Sequence, residues 1–314
     1  MIEKIFRSLS VPFRYLRNKT RPWRQRRKES RKQIKRLIDL SQGSMEILAW
    51  TALQNLLAQP RYSNDEKRLV KFGHKVYSQA DEDGILQEIF RRIGTTRKTF
   101  IEIGVGDGLE NNTLSLILQG WKGAWIEGNP QFASAITKKF ARVLDEKRLR
   151  LVTQWVSREN INQLIRQCGQ GDEVDLFSID IDGNDFHVVQ AIETLNARVV
   201  VVEYNAKFAP PIDWTIDYNP KHQWDRSDYA GASLKALELL LRTKGYRLVG
   251  CNIVGSNAFF VRKDLAGDHF KEDDTAEAHY EPARYWIISG FMSGHPANFG
   301  PYKTFKDLNP SSES

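Results

Sequence analysis

From residue 98 onward, short apolar runs alternate with stretches of helical periodicity. The runs predict strands at 99–103, 123–127, 149–155, 174–181 and 199–204, with helices at 113–118, 132–140, 161–168, 186–195 and 233–244. Alternating strands and helices predict parallel strands joined by right-handed crossovers. Two more strands, 246–251 and 258–262, lie too close together for a crossover and predict an antiparallel hairpin. The pattern therefore predicts a three-layer α/β fold with one reversed strand.

The chain before residue 98 has helical spacing over most of its length. Residues 2–16 place their apolar side chains on one helical face, as interfacial helices do. Residues 41–70 are predicted to be helical until Pro60 ends the helix, and a further helix is predicted at 81–93. We predict four segments: a basic amphipathic arm (1–40), a helical preface (41–97), the α/β domain (98–264) and a C-terminal covering segment (265–314).

Charge separates the arm from the rest of the chain. Residues 1–40 contain five lysines and nine arginines against three acidic residues, a net charge of +11, which leaves −4 for the remainder of a chain whose net charge is +7. We therefore expect the arm to meet any anionic partner. A solvated or partner-packed helix and docking on an anionic membrane surface are the two interpretations of the arm that stay open. Nucleic acid is disfavoured because Trp23 is the one aromatic residue within 17–40.

The cysteine usage and the lack of a recognisable export signal predict an intracellular protein. No run of about 20 apolar residues is present, which predicts no membrane span. The first helix lacks the small-residue cleavage site of a secretory signal. Cys168 and Cys251 match no metal-ligand spacing and form no disulfide framework. We predict a cytoplasmic protein, with a peripheral position at the inner membrane face as the prediction tied to the arm.

The first strand runs directly into a glycine-rich sequence, EIGVGDG, at 102–108. Glycines allow close approach of the backbone to a ligand, and the carboxyl ends of strands are where open α/β sheets bind ligands. A dinucleotide fingerprint needs a third glycine at 109, but that residue is Leu109 and the third glycine is Gly108. Glu102 would repel a phosphate but could orient a cationic amino group.

The second strand ends in an acidic residue, Glu127, within WIEGNP. A carboxylate at this place can accept hydrogen bonds from both ribose hydroxyls of a nucleoside. NAD sites use the same placement. Glu127 therefore indicates an adenosine ribose without identifying the cofactor that carries it.

Acidic residues gather where the fourth and fifth strands end, in SIDIDGND and VVVEYN. Asp180, Asp182 and Glu203 could together hold Mg²⁺ or another hard cation. Alternatively, Asp180 or Asp182 deprotonates an acceptor hydroxyl directly, or Asp180 receives the amino group of a cofactor. His187, at the start of the next helix, is a further candidate base.

The acceptor is expected to bind beneath the long polar segments 205–232 and 265–300. Aromatic side chains in the first of these segments could stack on a sugar ring, although anchoring the loop is an equal alternative. The predicted acceptor-binding residues are Asn205, Trp214, His222 and Trp224.

The sequences EIGVGDG, WIEGNP and SIDIDGND resemble the FkbM-type branch of class I S-adenosylmethionine-dependent methyltransferases. The preface SQADEDGILQEIF and the closing NAFFVR extend the resemblance over roughly residues 75–263. It implies a Rossmann-like three-layer sandwich with a seven-stranded sheet, S-adenosylmethionine as cofactor, and O-methylation of a sugar, glycolipid or similar small-molecule or glycan acceptor. FkbM-type sequences often have Asp-x-Glu-Gly after strand four, where this chain has the shorter Asp182.

The resemblance also assigns roles to single residues. The glycine-rich segment would line the methionine part of the cofactor, Glu127 would bind its ribose, the segment after strand three would flank adenine, and Asp180 would face the sulfonium. The implied cofactor-binding residues are Glu102, Gly104, Gly106, Asp107, Gly108, Glu127, Gly128, Trp155, Val156 and Asp180.

Two other functions stay open at this level. One is a non-catalytic protein on this fold, docked on a membrane or glycan surface. The other is an NAD-dependent enzyme. The joint presence of Glu102, the three glycines and Glu127 argues against the first, because a non-catalytic fold needs none of them together.

Overall fold

The computed structural model describes residues 2–171, 173–194, 196–287 and 299, with the backbone alone described for 2–22 and 24. The chain divides into two compact units, Met1–Ala52 and Leu53–Ser314. Helix α1 (Ile2–Leu57) makes up the first unit as far as Ala52, and its last five residues belong to the second unit. Among the described residues, no helix combines the length and apolar character needed to cross a bilayer.

A seven-stranded sheet forms the centre of the second unit, in the order β3-β2-β1-β4-β5-β7-β6. Its strands are β1 (Thr99–Ile103), β2 (Lys122–Glu127), β3 (Leu149–Thr153), β4 (Val174–Ile179), β5 (Ala197–Glu203), β6 (Tyr246–Cys251) and β7 (Asn257–Arg262). Strands β1 to β5 are parallel, and β7 runs antiparallel to both β5 and β6. The predicted seven-stranded sheet, mostly parallel with one reversed strand, is confirmed.

Helices cover both faces of this sheet, because its central strands are apolar on both sides. Along β5, Val199 and Val201 pack into one core, whereas Val200 and Val202 pack into the other. The helices are α2 (Pro60–Ser63), α3 (Glu82–Ile93), α4 (Leu114–Leu118), α5 (Pro130–Lys139), α6 (Ala141–Asp145), α7 (Ile161–Cys168), α8 (Asp185–Ala191), α9 (Leu234–Thr243), α10 (Lys263–Ala266) and α11 (Ala276–His279).

Several element ends differ from the predicted ones for local reasons. Strand β3 stops at Thr153, since its partner β2 ends at Glu127, opposite Thr153. Strand β4 stops at Ile179, and α8 ends at Ala191 because Ile192 adopts an extended backbone. The helix predicted from residue 41, with Pro60 ending it, is the final part of α1, which ends at Leu57.

Buried carboxylates hold the preface to the sheet domain. Asp83 accepts hydrogen bonds from three consecutive backbone N–H groups, those of residues 76–78, at 2.7–2.8 Å. Glu82 accepts from the side-chain amides of Asn252 and Asn257 at 2.7 and 2.9 Å, which ties α3 to the β6–β7 turn. Asp83 and Glu82 therefore have structural roles, since each buried carboxylate has hydrogen-bond donors as partners.

Candidate active site

A cavity of about 590 Å³ opens at the carboxyl ends of the parallel strands. Strand β1 lies between β2 and β4, so the chain continues into β2 on one side of β1 and returns into β4 on its other side. A crevice forms where these two directions part. The cavity brings together ten of the predicted residues: Gly104, Gly106, Glu127, Gly128, Trp155, Val156, Asp180, Asp182, His222 and Trp224.

The Glu127 carboxylate lines the cavity in a fixed orientation. Its Oε2 accepts a hydrogen bond from the Gly106 N–H at 2.9 Å, and its Oε1 accepts from the Asn129 N–H at 2.7 Å. Burial raises the pKa of Glu127, against the opposing effect of these two N–H groups. Each oxygen keeps a second lone pair for a ligand hydroxyl.

The three motif glycines have three different surroundings. A Cβ on Gly104, where φ is +81°, would lie 1.7 Å from the Asp180 carbonyl oxygen, because the ends of β1 and β4 touch here. A Cβ on Gly108 would strike the rings of Phe140 and Trp125 outside the cavity, at 2.7 and 2.9 Å. A Cβ on Gly106 would meet no atom within 4 Å. Gly104 is therefore required by packing, and Gly106 by its φ of +55°.

Glu102 and Asp107 do not line the cavity. The Glu102 carboxylate accepts from the Asn112 N–H at 2.8 Å and from the Thr113 hydroxyl, which ties the glycine loop to the start of α4. Burial raises the pKa of Glu102 to about 7. Asp107 forms an ion pair with Lys139 at 2.8 Å. Both residues are placed to support the loop rather than to touch a ligand.

Two large aromatic rings stand exposed at the β2–β3 side of the cavity. Phe132 is 43% exposed and Trp155 is 46% exposed, although both line the cavity. A Cβ on Gly128 would lie 2.9 Å from the Trp155 ring, so the glycine permits this ring to lie against the backbone. These rings offer stacking surfaces to a flat heterocycle.

Three acidic side chains converge at the β4–β5 side. Oxygens of Asp180, Asp182 and Glu203 all lie within 4.8 Å of one another. Burial, followed by the charges of Asp185 and Asp182, raises the pKa of Asp180 to about 8. Burial and the charge of Asp180 raise the pKa of Glu203 well above its usual range.

Asp182 differs from its buried neighbours. It is exposed at the cavity and adopts a left-handed backbone with φ of +56°, a conformation that Asp and Asn tolerate better than other residues. The His222 ring packs on the next residue, so a Cβ on Gly183 would lie 2.2 Å from it. Burial raises the pKa of Asp182 and the charge of His222 lowers it. The two side chains thus face the cavity together.

Three other predicted residues lie outside the cavity lining. The His187 Nε2 lies 2.7 Å from the Ile216 carbonyl oxygen, to which it donates. Asn205 donates to two loop carbonyls, at 2.9 and 3.0 Å, and Trp214 packs on Phe208 with ring centroids 4.1 Å apart. All three anchor the 205–232 loop, which is the alternative that the sequence left open for Trp214.

The loop is pinned onto the strand ends by groups from other elements. Trp155 Nε1 donates to the Pro220 carbonyl at 2.9 Å, and the Asn184 side chain donates to the Asn219 carbonyl at 2.7 Å. These contacts bring His222 and Trp224 over the cavity. Sequence reasoning missed further lining residues, namely Gln79, Glu110, Asn129, Phe132, Asn184 and Gln223. Signals existed for Asn129 and Asn184, which lie within the motifs WIEGNP and SIDIDGND, and for Phe132, which lies in the first turn of the helix that follows Glu127.

No protein-family model matches the sequence, and no curated protein is significantly similar to it. Several solved structures are similar to this chain. A Staphylococcus aureus protein described as a caffeoyl-CoA O-methyltransferase is 15% identical with a TM-score of 0.43, over 68% of this chain and 99% of that chain. Cofactor-bound Rv0187 from MTB is 16% identical with a TM-score of 0.37, over 53% and 73%.

A third similar structure is the glycopeptide N-methyltransferase MtfA in complex with S-adenosylmethionine. It is 11% identical with a TM-score of 0.34, over 56% of this chain and 85% of that chain. At these identities the likeness concerns the fold, because one fold hosts many functions. The function has to be argued from the cavity.

Proposed function

We propose that this protein is an S-adenosylmethionine-dependent O-methyltransferase whose cofactor binds in the cavity at the carboxyl end of the sheet. The observation that carries the proposal is the Glu127 carboxylate, held by the N–H groups of Gly106 and Asn129 at 2.9 and 2.7 Å with lone pairs left for a ribose. An acid in this position suits a nucleoside, and the cavity holds no phosphate-binding lysine or arginine among its lining residues.

The rest of the cofactor would follow the cavity in both directions from Glu127. Adenine would stack against Phe132 and Trp155, the exposed rings of the β2–β3 side. The methionine part would lie along Gly104 and Gly106 toward Asp180. Glu102 would act from behind, by holding the loop that carries the glycines.

Methyl transfer would proceed by in-line displacement. The acceptor hydroxyl attacks the methyl carbon, the carbon–sulfur bond breaks, and the positive charge on sulfur is lost. The protein mainly positions the two reactants. Asp182 is the carboxylate that we assign to accept the hydroxyl proton, since it lines the cavity and is more exposed than Asp180.

A hard cation is the alternative for the acid cluster. Three carboxylate oxygens within 4.8 Å are donors of the type that Mg²⁺ binds. Asp180, Asp182 and Glu203 would hold the ion, which would make the acceptor hydroxyl more acidic. The raised pKa values of Asp180 and Glu203 would oppose binding, because a cation binds the deprotonated carboxylates. Titration of the parent with MgCl₂ in a calorimeter, beside Asp180→Asn, tests this alternative.

We propose a hydroxyl of a sugar, glycolipid or similar glycan as the methyl acceptor. Trp224 is 50% exposed at the rim of the cavity and offers a face on which a sugar ring can stack. Asp182 and Asn184 line the same side and can bind hydroxyl groups. Methyl transfer from radiolabelled S-adenosylmethionine to a panel of methyl glycosides identifies the acceptor.

Calorimetry with S-adenosylhomocysteine and with NAD⁺ tests the cofactor assignment. We expect the homocysteine nucleoside to bind and NAD⁺ to remain unbound, because the glycine spacing and the lining residues provide no pyrophosphate site. Binding of NAD⁺ alone would replace this proposal with a dehydrogenase. Absence of binding by both nucleotides would favour a non-catalytic protein.

The partner of residues 1–40 forms the second part of the proposal. We infer that this basic segment meets an anionic surface, since its net charge of +11 contrasts with the −4 of the remaining chain. The same electrostatics would place the protein peripherally at a membrane face that carries anionic lipid.

A further inference from the structure

We propose that α1 docks on an anionic lipid bilayer through an apolar face that extends beyond the basic arm. This inference deepens the second part of the proposed function and is independent of methyl transfer. The face lies on the stretch of α1 between residues 34 and 48. Its members are Ile34, Leu37, Ile38, Leu40, Met45, Ile47 and Leu48.

These seven side chains share one half of the helix. At 100° per residue they fall within an arc of about 180°, while Asp39, Gln42 and Glu46 lie on the opposite half. Each of the seven is 56–69% exposed, so the face is uncovered in the folded chain. Single exposed apolar residues are ordinary, but a contiguous face of this size marks an interaction site.

Basic residues continue directly from this face toward the amino terminus. Between 25 and 36, seven exposed lysine and arginine residues stand against the single acid Glu29. They are Arg26, Arg27, Lys28, Arg31, Lys32, Lys35 and Arg36. A helix with an apolar face and adjacent basic residues is suited to the boundary between acyl chains and anionic headgroups. Charge complementarity therefore identifies the occupant as anionic lipid.

A second copy of α1 fits the face less well. In the coiled-coil register that places Ile34, Ile38, Met45 and Leu48 in the seam, Ser41 also lies in the seam and Ser44 flanks it. The apolar face, which spans about 180°, is also wider than a two-position seam can bury. The adjacent basic residues would also repel their counterparts in a parallel pair. A bilayer has no register to satisfy, so the small serines do not impair docking there.

Vesicle sedimentation of the full-length protein tests the proposal. Vesicles of equimolar phosphatidylglycerol and phosphatidylcholine should bind at least about tenfold more protein than pure phosphatidylcholine, because the basic residues attract anionic headgroups. The excess should shrink in high salt. Equal binding to the two kinds of vesicle would overturn the proposal.

Paired substitutions then test the apolar face. Leu37→Ser with Leu48→Ser should lower binding to the anionic vesicles at least about tenfold. The matched control, Leu118→Ser with Leu239→Ser, removes two leucines that are 44% and 42% exposed in the second unit and should bind like the parent. Unchanged binding of the α1 variant would leave a purely electrostatic contact and contradict insertion of the face.

Charge reversal provides a second variant in case the serines unfold the helix, which far-UV circular dichroism reports. Arg31→Glu with Lys35→Glu should also lower binding at least about tenfold. The control is Lys138→Glu with Arg166→Glu, which changes net charge equally at exposed positions of α5 and α7. Equal losses in both pairs would assign binding to net charge and overturn the role of α1.

Two further outcomes would identify a different occupant. A dimer in sedimentation velocity that Leu37→Ser with Leu48→Ser dissociates would assign the face to a second copy. Binding of polyuridylic acid that displaces the protein from vesicles, unchanged by the serine pair, would assign the segment to nucleic acid. Binding of S-adenosylhomocysteine, measured on the same samples, keeps failure of this proposal distinct from failure of the enzymatic one.

Discussion

The two halves of the cavity are built in different ways. On the β1–β2 side, functional groups are held by backbone atoms nearby in the same motifs, as when Glu127 accepts from Gly106 and Asn129. On the β4–β5 side, side chains from distant segments meet one another, as with the carboxyl pair of Asp180 and Glu203. The first half could be read from motifs, whereas the second half had to be assembled by the fold.

The halves also differ in electrostatics. Glu127 in the first half is held by two N–H groups, so its orientation is set before any ligand arrives. In the second half, burial raises the pKa values of Asp180 and Glu203, and the charges of neighbouring acids raise them further. The difference suggests a rigid cofactor side and a chemically adjustable acceptor side.

The largest effect is expected where the two halves touch. Gly104→Ala should lower the free energy of unfolding by about 4 kcal/mol or more, because its Cβ would overlap the Asp180 carbonyl. Gly106→Ala, with open space around its Cβ, should cost only about 1 kcal/mol of backbone strain. Urea unfolding compares the two variants. Equal losses of unfolding free energy in the two variants would contradict a stabilising role for the contact between Gly104 and Asp180.

Chemistry should depend on the acceptor side alone. Asp182→Asn should slow methyl transfer at least about hundredfold while leaving S-adenosylhomocysteine affinity unchanged, because the amide keeps the left-handed backbone but accepts no proton. Rate assays with the identified glycoside and calorimetry provide the two readouts. Asp225→Asn, at the exposed loop tip, is the control. Loss of cofactor affinity in Asp182→Asn would break the division between halves.

The contribution of Glu102, the acid that supports the cofactor side, to the free energy of unfolding should depend on pH. The pKa of Glu102 is near 4.5 in the unfolded chain and about 7 in the folded one. Between these values the unfolded chain releases a proton that the folded chain retains, so parent stability falls as pH rises. Relative to the parent, Glu102→Gln should therefore gain about 3 kcal/mol of unfolding free energy between pH 4.5 and 7.5. Urea titrations at both pH values measure this gain, and a constant difference would contradict it.

A smaller effect is expected at the ribose position. Glu127→Gln should weaken S-adenosylhomocysteine binding about tenfold, since the neutral amide loses a charge-assisted acceptor. Glu146→Gln, in an exposed ion pair with Arg142, serves as the matched control. If both variants bind like the parent, the ribose assignment is wrong.

The smallest effect should separate lining from anchoring residues within the loop. Trp224→Ala should raise the acceptor KM about fivefold through lost stacking, with stability unchanged. Trp214→Ala should lower the stability and leave the acceptor KM unchanged, because Trp214 packs between Phe208 and Tyr229 outside the cavity. Steady-state kinetics and thermal unfolding distinguish the two tryptophans.

Sequence patterns anticipated the sheet closely and the acceptor side incompletely. The hairpin of β6 and β7 followed from a connection too short for a crossover, and the structure has it. Glu102 was predicted in contact with the cofactor, but its carboxylate faces the start of α4. His187 was a candidate base, yet it donates to a loop carbonyl outside the cavity. Alternation along a strand does not reveal which ring or carbonyl approaches from a distant loop.

The sequence by itself determined the order of strands and helices, the glycine turn after β1 and the acid that closes β2. These depend on periodicity and on backbone conformation, which are properties of a few adjacent residues. Only the tertiary structure decided that burial and the charge of Asp180 raise the pKa of Glu203, and that His222 reaches the cavity while His187 does not. Burial and electrostatic coupling depend on atoms remote along the chain, so the chemistry of the acceptor side appears only when the strand ends and the loop meet.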